Sequence, residues 1–293
     1  MENLFWGRIL ILKILIFCMF TLVTVYLNPI RAEARSLEEI LASGYIISSL
    51  RDRDTVWHSS GPKQLQEEIL ELFVLYLTDK YQKTIKLEKD IVPDFSDFWK
   101  DKSGKVRQGD TYTPAYMDKV DLYADILTIN EWREKLVTMI SFIPIREVIF
   151  CKGAAARNIQ DLIDQNLYVY TVKNSSYHTL LETADFPEDK MIFISKTGNI
   201  LQALYSGKRI ACSILDSDGG LYQTKRLSGL KMTGMANKQF SQIGWAASRS
   251  SEKLAGEIKD FFKTFMKTEK FHALFEKQYG LSYNSYLRIL ATF

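Results

Sequence analysis

The sequence has no stripe of like charge. Its Lys and Arg residues are interspersed with Asp and Glu, and the net charge at pH 7 is only +3. A nucleic-acid partner would need a concentrated basic face, so none is expected. Histidine is scarce, and His58, His178 and His272 are too scattered to give a metal site its ligand spacing. No Ser, His and Asp set and no Cys and His pair stands in a nucleophile motif. The carboxylates lie mostly on solvated helix faces, so acid–base catalysis has no support. The chain reads as non-enzymatic, without metal or cofactor. It also lacks low-complexity tracts and internal repeats. A composition of 46% hydrophobic and 25% charged residues is that of a globular protein, and 293 residues suffice for one large domain or two small ones.

What is present begins with an apolar stretch, residues 9–27, preceded by Arg8 and interrupted by Lys13. Ala32-Glu33-Ala34 then places small residues at minus three and minus one, the pattern of a secretory signal peptide cleaved after Ala34. The competing reading is an uncleaved anchor, since the stretch nearly spans a hydrocarbon core of roughly 30 Å. Cys18 lacks the small residues that precede a lipid-modified cysteine. Residues 1–34 hold Arg8, Lys13 and Arg31 against Glu2 and Glu33, so the remainder carries 35 basic and 33 acidic side chains. A nearly neutral, monomeric, periplasmic protein is expected. It keeps Cys151 and Cys212, which an oxidising compartment could pair. Both lie in strongly apolar runs, so buried free thiols are the expected state.

The remaining chain alternates in type. A short helix over 37–42 ends at Gly44 and leads into a strand over 45–49. After a Gly61-Pro62 turn, Leu65, Ile69, Leu72, Phe73, Tyr76 and Leu77 recur at the spacing of one helix face. Residues 90–118 read as loop, and 120–127 as a strand. Strands then fall at 148–151, 167–172, 191–194 and 210–215, with helices at 176–183 and 197–205 between them. A strand at 244–247 and two helices, with apolar faces over 254–266 and 271–279, finish the chain. This alternation predicts an α/β fold with parallel sheets.

Three polar clusters stand at the ends of apolar runs: Thr128 to Arg133, Asn174-Ser175-Ser176, and Asp216-Ser217. In α/β folds, ligands sit outside the carboxyl ends of strands and at helix N-termini. A guanidinium holds a carboxylate with two parallel hydrogen bonds, and an acidic residue opposite completes the match to a zwitterion. Each cluster has a plainer reading. Arg133 could be a surface residue paired with Asp125 or Glu134, Ser175 and Ser176 a helix cap, and Asp216 the start of a turn over 216–220. Trp57 is a candidate aromatic wall of the cleft, with core or surface packing as its alternative.

These residues carry a resemblance. Residues 36–44 (Ser-Leu-Glu-Glu-Ile-Leu-Ala-Ser-Gly), Val120-Asp121, the run from Leu127 to Arg133, the run from Lys173 to Tyr177, Asp216-Ser217 and Gly244-Trp245-Ala246 are together similar to the family 3 bacterial extracellular solute-binding proteins. The resemblance implies the two-lobe type II periplasmic-binding fold, with the ligand enclosed between lobes. Lobe one is then 35–146 plus 241–293, and lobe two is 147–240, with hinges near 145–147 and 240–243. It implies that Arg133 clamps a ligand carboxylate, Thr128 offers a hydroxyl, Ser175 and Ser176 add hydroxyl and backbone donors, and Asp216 accepts from an ammonium.

Two departures stand out. Asp125 falls where that family's amino-acid binders commonly have a small hydroxyl residue. It either neutralises Arg133 or selects a different, cationic ligand. The segment 90–118 is also unusual. The Gly61-Pro62 turn, the Leu72-Phe73 helix and Tyr279-Gly280-Leu281-Ser282-Tyr283 resemble the solute-binding module of membrane-bound lytic transglycosylases. The expectation is capture of a small polar ligand, such as an amino acid, for an ABC transporter permease. The alternative is a periplasmic sensory or regulatory module binding peptidoglycan-derived peptides or a partner protein.

Overall fold

The structure is a computed structural model, and it describes residues 34–51, 62–92, 95–195, 200–224, 227–237 and 239–292. The expected export segment, apart from Ala34, lies outside the described residues, as do Trp57 and Gly61. Helix α1 (Leu37–Ser43) starts at a reciprocal cap, with Ser36 Oγ accepting from Glu39 N and the Glu39 carboxylate accepting from Ser36 N. It stops at Gly44, whose φ of +71° is left-handed and would strain a side chain. Strand β1 (Tyr45–Arg51) follows, then α2 (Pro62–Tyr81), which buries Leu65, Ile69, Phe73 and Leu77.

Strand β2 (Lys86–Val92) takes in residues 90–92, which were expected as loop. It is an edge strand paired in parallel with β1, so its polar residues face water and hide its strand character. Residues 95–118 contain only two short 3-10 turns, Phe95–Trp99 and Ala115–Asp118. They are nevertheless packed: Phe98, Trp99, Met117 and Val120 join Tyr123, Leu127 and Val137 in a separate apolar cluster. Strand β3 (Leu122–Thr128), the single turn α3 (Glu131–Glu134) and β4 (Thr138–Ile145) come next.

Past Arg146 the chain enters a second set of elements. These are β5 (Glu147–Lys152), α4 (Ile159–Asp164), β6 (Tyr168–Val172), α5 (Ser176–Thr183), β7 (Met191–Ile194), α6 (Ile200–Ser206), β8 (Ala211–Asp216), α7 (Ser217–Thr224) and β9 (Leu230–Met235). The chain then returns with β10 (Ser241–Ala247), α8 (Glu252–Phe265), α9 (Glu269–Tyr279) and α10 (Tyr283–Thr292). The last helix is an addition to the two expected. It adds Tyr283, Tyr286 and Leu290 to the core formed by α2, α8 and α9.

The strands form two five-stranded sheets, β2-β1-β3-β10-β4 and β7-β6-β8-β5-β9, each with its own apolar core. The expected parallel pairing holds for β1 with β2 and β3, and for β6 with β7 and β8. It fails elsewhere: β10 is antiparallel to β3 and β4, and β5 is antiparallel to β8 and β9. The reason is the crossing. A strand leaving one sheet for the other and a strand returning beside it must run in opposite directions. Where β10 meets β4 the register shifts at Gly244, and any Cβ there would lie 1.8 Å from Ile140 O.

The antiparallel register of β5 and β8 sets Cys151 directly opposite Cys212, and the two are bonded as a disulfide. This corrects the expectation of free thiols. Their apolar surroundings were read correctly, but only the strand register brings the sulfurs together. No helix among the described residues is long and apolar enough to cross a membrane.

Candidate ligand cleft

Strand β3 ends at Thr128, and the chain turns at once into α3, where Asn130 Oδ1 accepts from Arg133 N at 3.2 Å. The Arg133 side chain reaches back to the end of β3, where Nη1 donates to Thr128 O at 2.6 Å. The guanidinium carbon lies 4.8 Å from the Trp99 ring and 5.3 Å from the Trp132 ring. Arg133 is only 1% exposed. Burial, and then the nearby Arg51 guanidinium, push its pKa down to about 9, while Asp216, Tyr177 and Glu147 act in the other direction. It is cationic at neutral pH. The surface-residue reading of Arg133 is thereby excluded, and the loop-like segment supplies one of its two aromatic neighbours.

Strand β1 delivers Arg51 to the same end of the first sheet. Its Nε and Nη2 meet the Asp125 carboxylate at 2.5 and 3.1 Å, and Nη2 also donates to Ile126 O at 3.1 Å. Its backbone N–H adds a bond to Asp125 Oδ2 at 3.2 Å. Asp125 therefore has a bidentate counter-ion within its own sheet, a partner the sequence reading had not given it. Parallel strands β1 and β3 are direct neighbours, which is what puts the two side chains together.

From the second sheet, β8 ends on Asp216. One carboxylate oxygen, Oδ2, accepts from Thr128 Oγ1 at 3.4 Å, a contact between the two sheets. The other, Oδ1, is buried and has no hydrogen-bond partner. Asp216 is 8% exposed, and burial, followed by the Asp218 and Glu147 charges, raises its carboxyl well above the ordinary range. Helix α5 reaches this point through Tyr177, whose hydroxyl accepts from Asp216 N at 3.2 Å. Ser175 caps that helix, accepting from His178 N at 3.2 Å and donating to Val172 O at 2.7 Å. Ser176 is half-buried in the first turn.

Asp216 closes a strand rather than opening a turn, and α7 begins at Ser217. The Ser217 hydroxyl is turned toward the last helix, 3.0 Å from Tyr286 Oη, and accepts from Arg146 N at 3.2 Å. The structure thus brings Arg133, Thr128 and Asp216 together, with Asp125 and Ser175 on flanking elements. Ser217 is committed to the crossing point.

Glu147, Arg51, Tyr177, Trp99 and Trp132 were not singled out from the sequence. Glu147 is 5% exposed and sits opposite Asp216 in the β5–β8 register. Its carboxylate accepts from Asn237 Nδ2 at 3.5 Å, and burial raises its pKa. A charged residue at the start of an apolar strand, here Glu147 beside Arg146, is a signal, but it forms no motif. Among the described residues no group of three or more His, Cys, Asp and Glu could hold a metal ion.

Solved structures place this architecture. A mutant of ArgBP from T. maritima superposes with a TM-score of 0.62 at 17% identity, covering 83% of this chain and 99% of that one. The fold is the two-lobe, type II periplasmic-binding fold. A putative binding component of an ABC transporter from Wolinella succinogenes, complexed with lysine, gives 0.63 at 13% identity, over 84% and 99% of the two chains. A histidine kinase sensor domain with similarity to periplasmic binding proteins gives 0.61 at 16%, over 85% and 98%. No family model matches the chain, and no curated protein matches it. Thr128 and Asp216 meet where the ends of one strand from each sheet come together.

Proposed function

We propose that the chain is an exported solute-binding protein that closes on an α-amino acid or a closely related zwitterion. The observation that carries this reading is the Thr128–Asp216 contact between the two sheets, with a buried guanidinium on one side and an unpartnered carboxylate oxygen on the other. Arg133 is the clamp for a carboxylate, together with N–H groups in the first turn of α5 beyond Ser175. Asp216 and Thr128 receive the ammonium. A ligand bridging both walls favours the shut state, which is how hinge closure reports occupancy. Binding rather than catalysis is the reading the similar structures favour, since they are chiefly binding proteins. The disulfide agrees with an oxidising compartment outside the cytosol.

Delivery to an ABC transporter permease is the first role proposed, supported by the similarity to a transporter binding component. A sensory role is the second, supported by the comparable similarity to a kinase sensor domain. The ligand chemistry is common to both. The test is a thermal-shift screen of the purified protein against the amino acids, polyamines and muropeptides, followed by calorimetry on each hit. A ligand present at about 100 times its Kd adds about 2.7 kcal/mol of stability. A raised melting temperature with an amino acid is expected. Stabilisation by muropeptides alone would overturn the amino-acid reading.

A further inference from the structure

A clamp has to be aimed before its ligand arrives. The Arg133 guanidinium ends a long stem that gives up much rotamer freedom when it is held. Its own element, α3, is a single turn of four residues, Glu131–Glu134, and offers little to brace it. The brace comes from two indoles, Trp99 and Trp132, which meet at 68° with ring centroids 5.3 Å apart. The guanidinium carbon lies over both, 4.8 Å from the first ring and 5.3 Å from the second. Trp132 precedes Arg133 in the same turn and moves with it. Trp99 does not: it comes from the segment 95–118 and is only 1% exposed.

Trp99 is held from its other side. Its ring stands at 90° to that of Tyr123, 6.1 Å away, and its carbonyl accepts from Tyr112 Oη at 2.7 Å. Tyr123 Oη in turn donates to Phe98 O at 2.8 Å. Tyr123 lies on β3, the strand whose last residue, Thr128, meets Asp216. The indole is therefore registered against the strand that ends at the candidate site. A ring beside a guanidinium displaces water without competing for its hydrogen bonds, so the N–H fork stays available to a carboxylate. Burial lowers the Arg133 pKa, which agrees with that loss of water.

We propose that Trp99 is the positioning residue of the Arg133 clamp, and that segment 95–118, which has neither α-helix nor strand, serves the cleft through it. This rests on the reading of Arg133 as a carboxylate clamp and adds what aims it. Without the indole the guanidinium keeps its charge and its bond to Thr128 O, but it samples more rotamers. What is lost is the advantage of a carboxylate over a neutral group in the same place, because a bidentate contact needs the planar fork in one orientation.

The experiment is calorimetric titration of wild type, Trp99→Leu, Trp99→Phe and Tyr112→Phe with alanine, leucine, glutamine and arginine, each beside its carboxamide. The carboxamide keeps the ammonium and the side chain and removes the carboxylate charge. Wild type is expected to bind at least one of the acids at least tenfold more tightly than its amide. In Trp99→Leu the affinity for the acid falls at least tenfold, that for the amide stays within about threefold, and the preference disappears. Trp99→Phe keeps a ring beside the guanidinium and retains most of the preference. Equal weakening of acid and amide in Trp99→Leu assigns Trp99 to packing alone, which overturns the proposal and leaves the clamp standing. A wild type that binds acid and amide alike, or none of the four acids, overturns the clamp and the proposal with it. Should Trp99→Leu fail to fold by its melting curve, Tyr112→Phe decides. It removes the bond to Trp99 O and is expected to lower the preference at least threefold, whereas an unchanged preference overturns the positioning role.

Discussion

Tyr286, on the last helix, places its hydroxyl 3.0 Å from Ser217 Oγ and 2.9 Å from Pro144 O. One side chain thus touches the residue after Asp216 and the strand that leaves the first sheet. Arg146, the single residue between β4 and β5, adds a bond from Nη1 to Leu290 O at 3.1 Å. Tyr286→Phe removes the hydroxyl and leaves the ring packed. Stability should fall by about 1–2 kcal/mol, typical of a buried hydrogen bond lost with its partners left behind. Urea denaturation measures it, and a loss below about 0.3 kcal/mol would show these bonds to be dispensable.

Arg133→Ala should weaken binding of the ligand found by the screen at least tenfold. Removing one partner of a buried charge pair costs about 2–5 kcal/mol. Arg133→Lys should also bind poorly, since an ammonium cannot reproduce the planar fork or its stacking on Trp99 and Trp132. Calorimetry on both variants checks this. Unchanged affinity in Arg133→Ala would sink the clamp.

Cys151 and Cys212 close a loop with a sequence separation of 61. In the chain-entropy picture such a cross-link contributes about 4 kcal/mol by restricting the unfolded chain. The double variant Cys151→Ala, Cys212→Ala should therefore melt at a markedly lower temperature. Wild type treated with a reductant should follow it. Identical melting of oxidised and reduced protein would contradict the bond.

Binding should release protons. Burial raises both Asp216 and Glu147, so the empty folded protein holds protons on them that the unfolded chain gives up near the ordinary carboxylate range. Their contribution to stability is therefore complete below that range and is lost as pH rises through it toward the raised values. Around Asp216 stand Arg133, Tyr177, Glu147 and Asp218, and Arg51 lies within electrostatic reach. A ligand ammonium favours the ionised carboxylates and displaces those protons, so affinity should rise with pH. Titration in buffers of different ionisation enthalpy reads the proton count. Proton uptake on binding would reverse the assignment.

Strand β7 and helix α5 were legible in the sequence to the residue, because apolar runs bounded by turn residues leave little choice. The edge strand β2 was not, since its solvated residues show no apolar period. The grouping of Thr128 and Asp216, which end apolar strands, with Arg133 just beyond one of them was legible as polar residues at strand ends. Arg51 and Glu147 became visible only through register: one lies beside Asp125 and the other opposite Asp216. The disulfide was hidden for the same reason. Trp99 belongs to a segment with no regular pattern, and its contact with Arg133 is made by packing alone.

The position of β10 between β3 and β4 has a consequence during synthesis. The strand that joins β4 to the rest of the first sheet is supplied by residues 241–247, which leave the ribosome after the whole of the second sheet. Until they arrive, β3 and β4 present open edges with no partner between them. The second sheet, made from the uninterrupted stretch 147–235, has all its strands much earlier. The emerging chain therefore has every strand of its second sheet first and holds the first sheet half-built, so a truncation before β10 should yield an aggregating chain rather than a smaller folded protein.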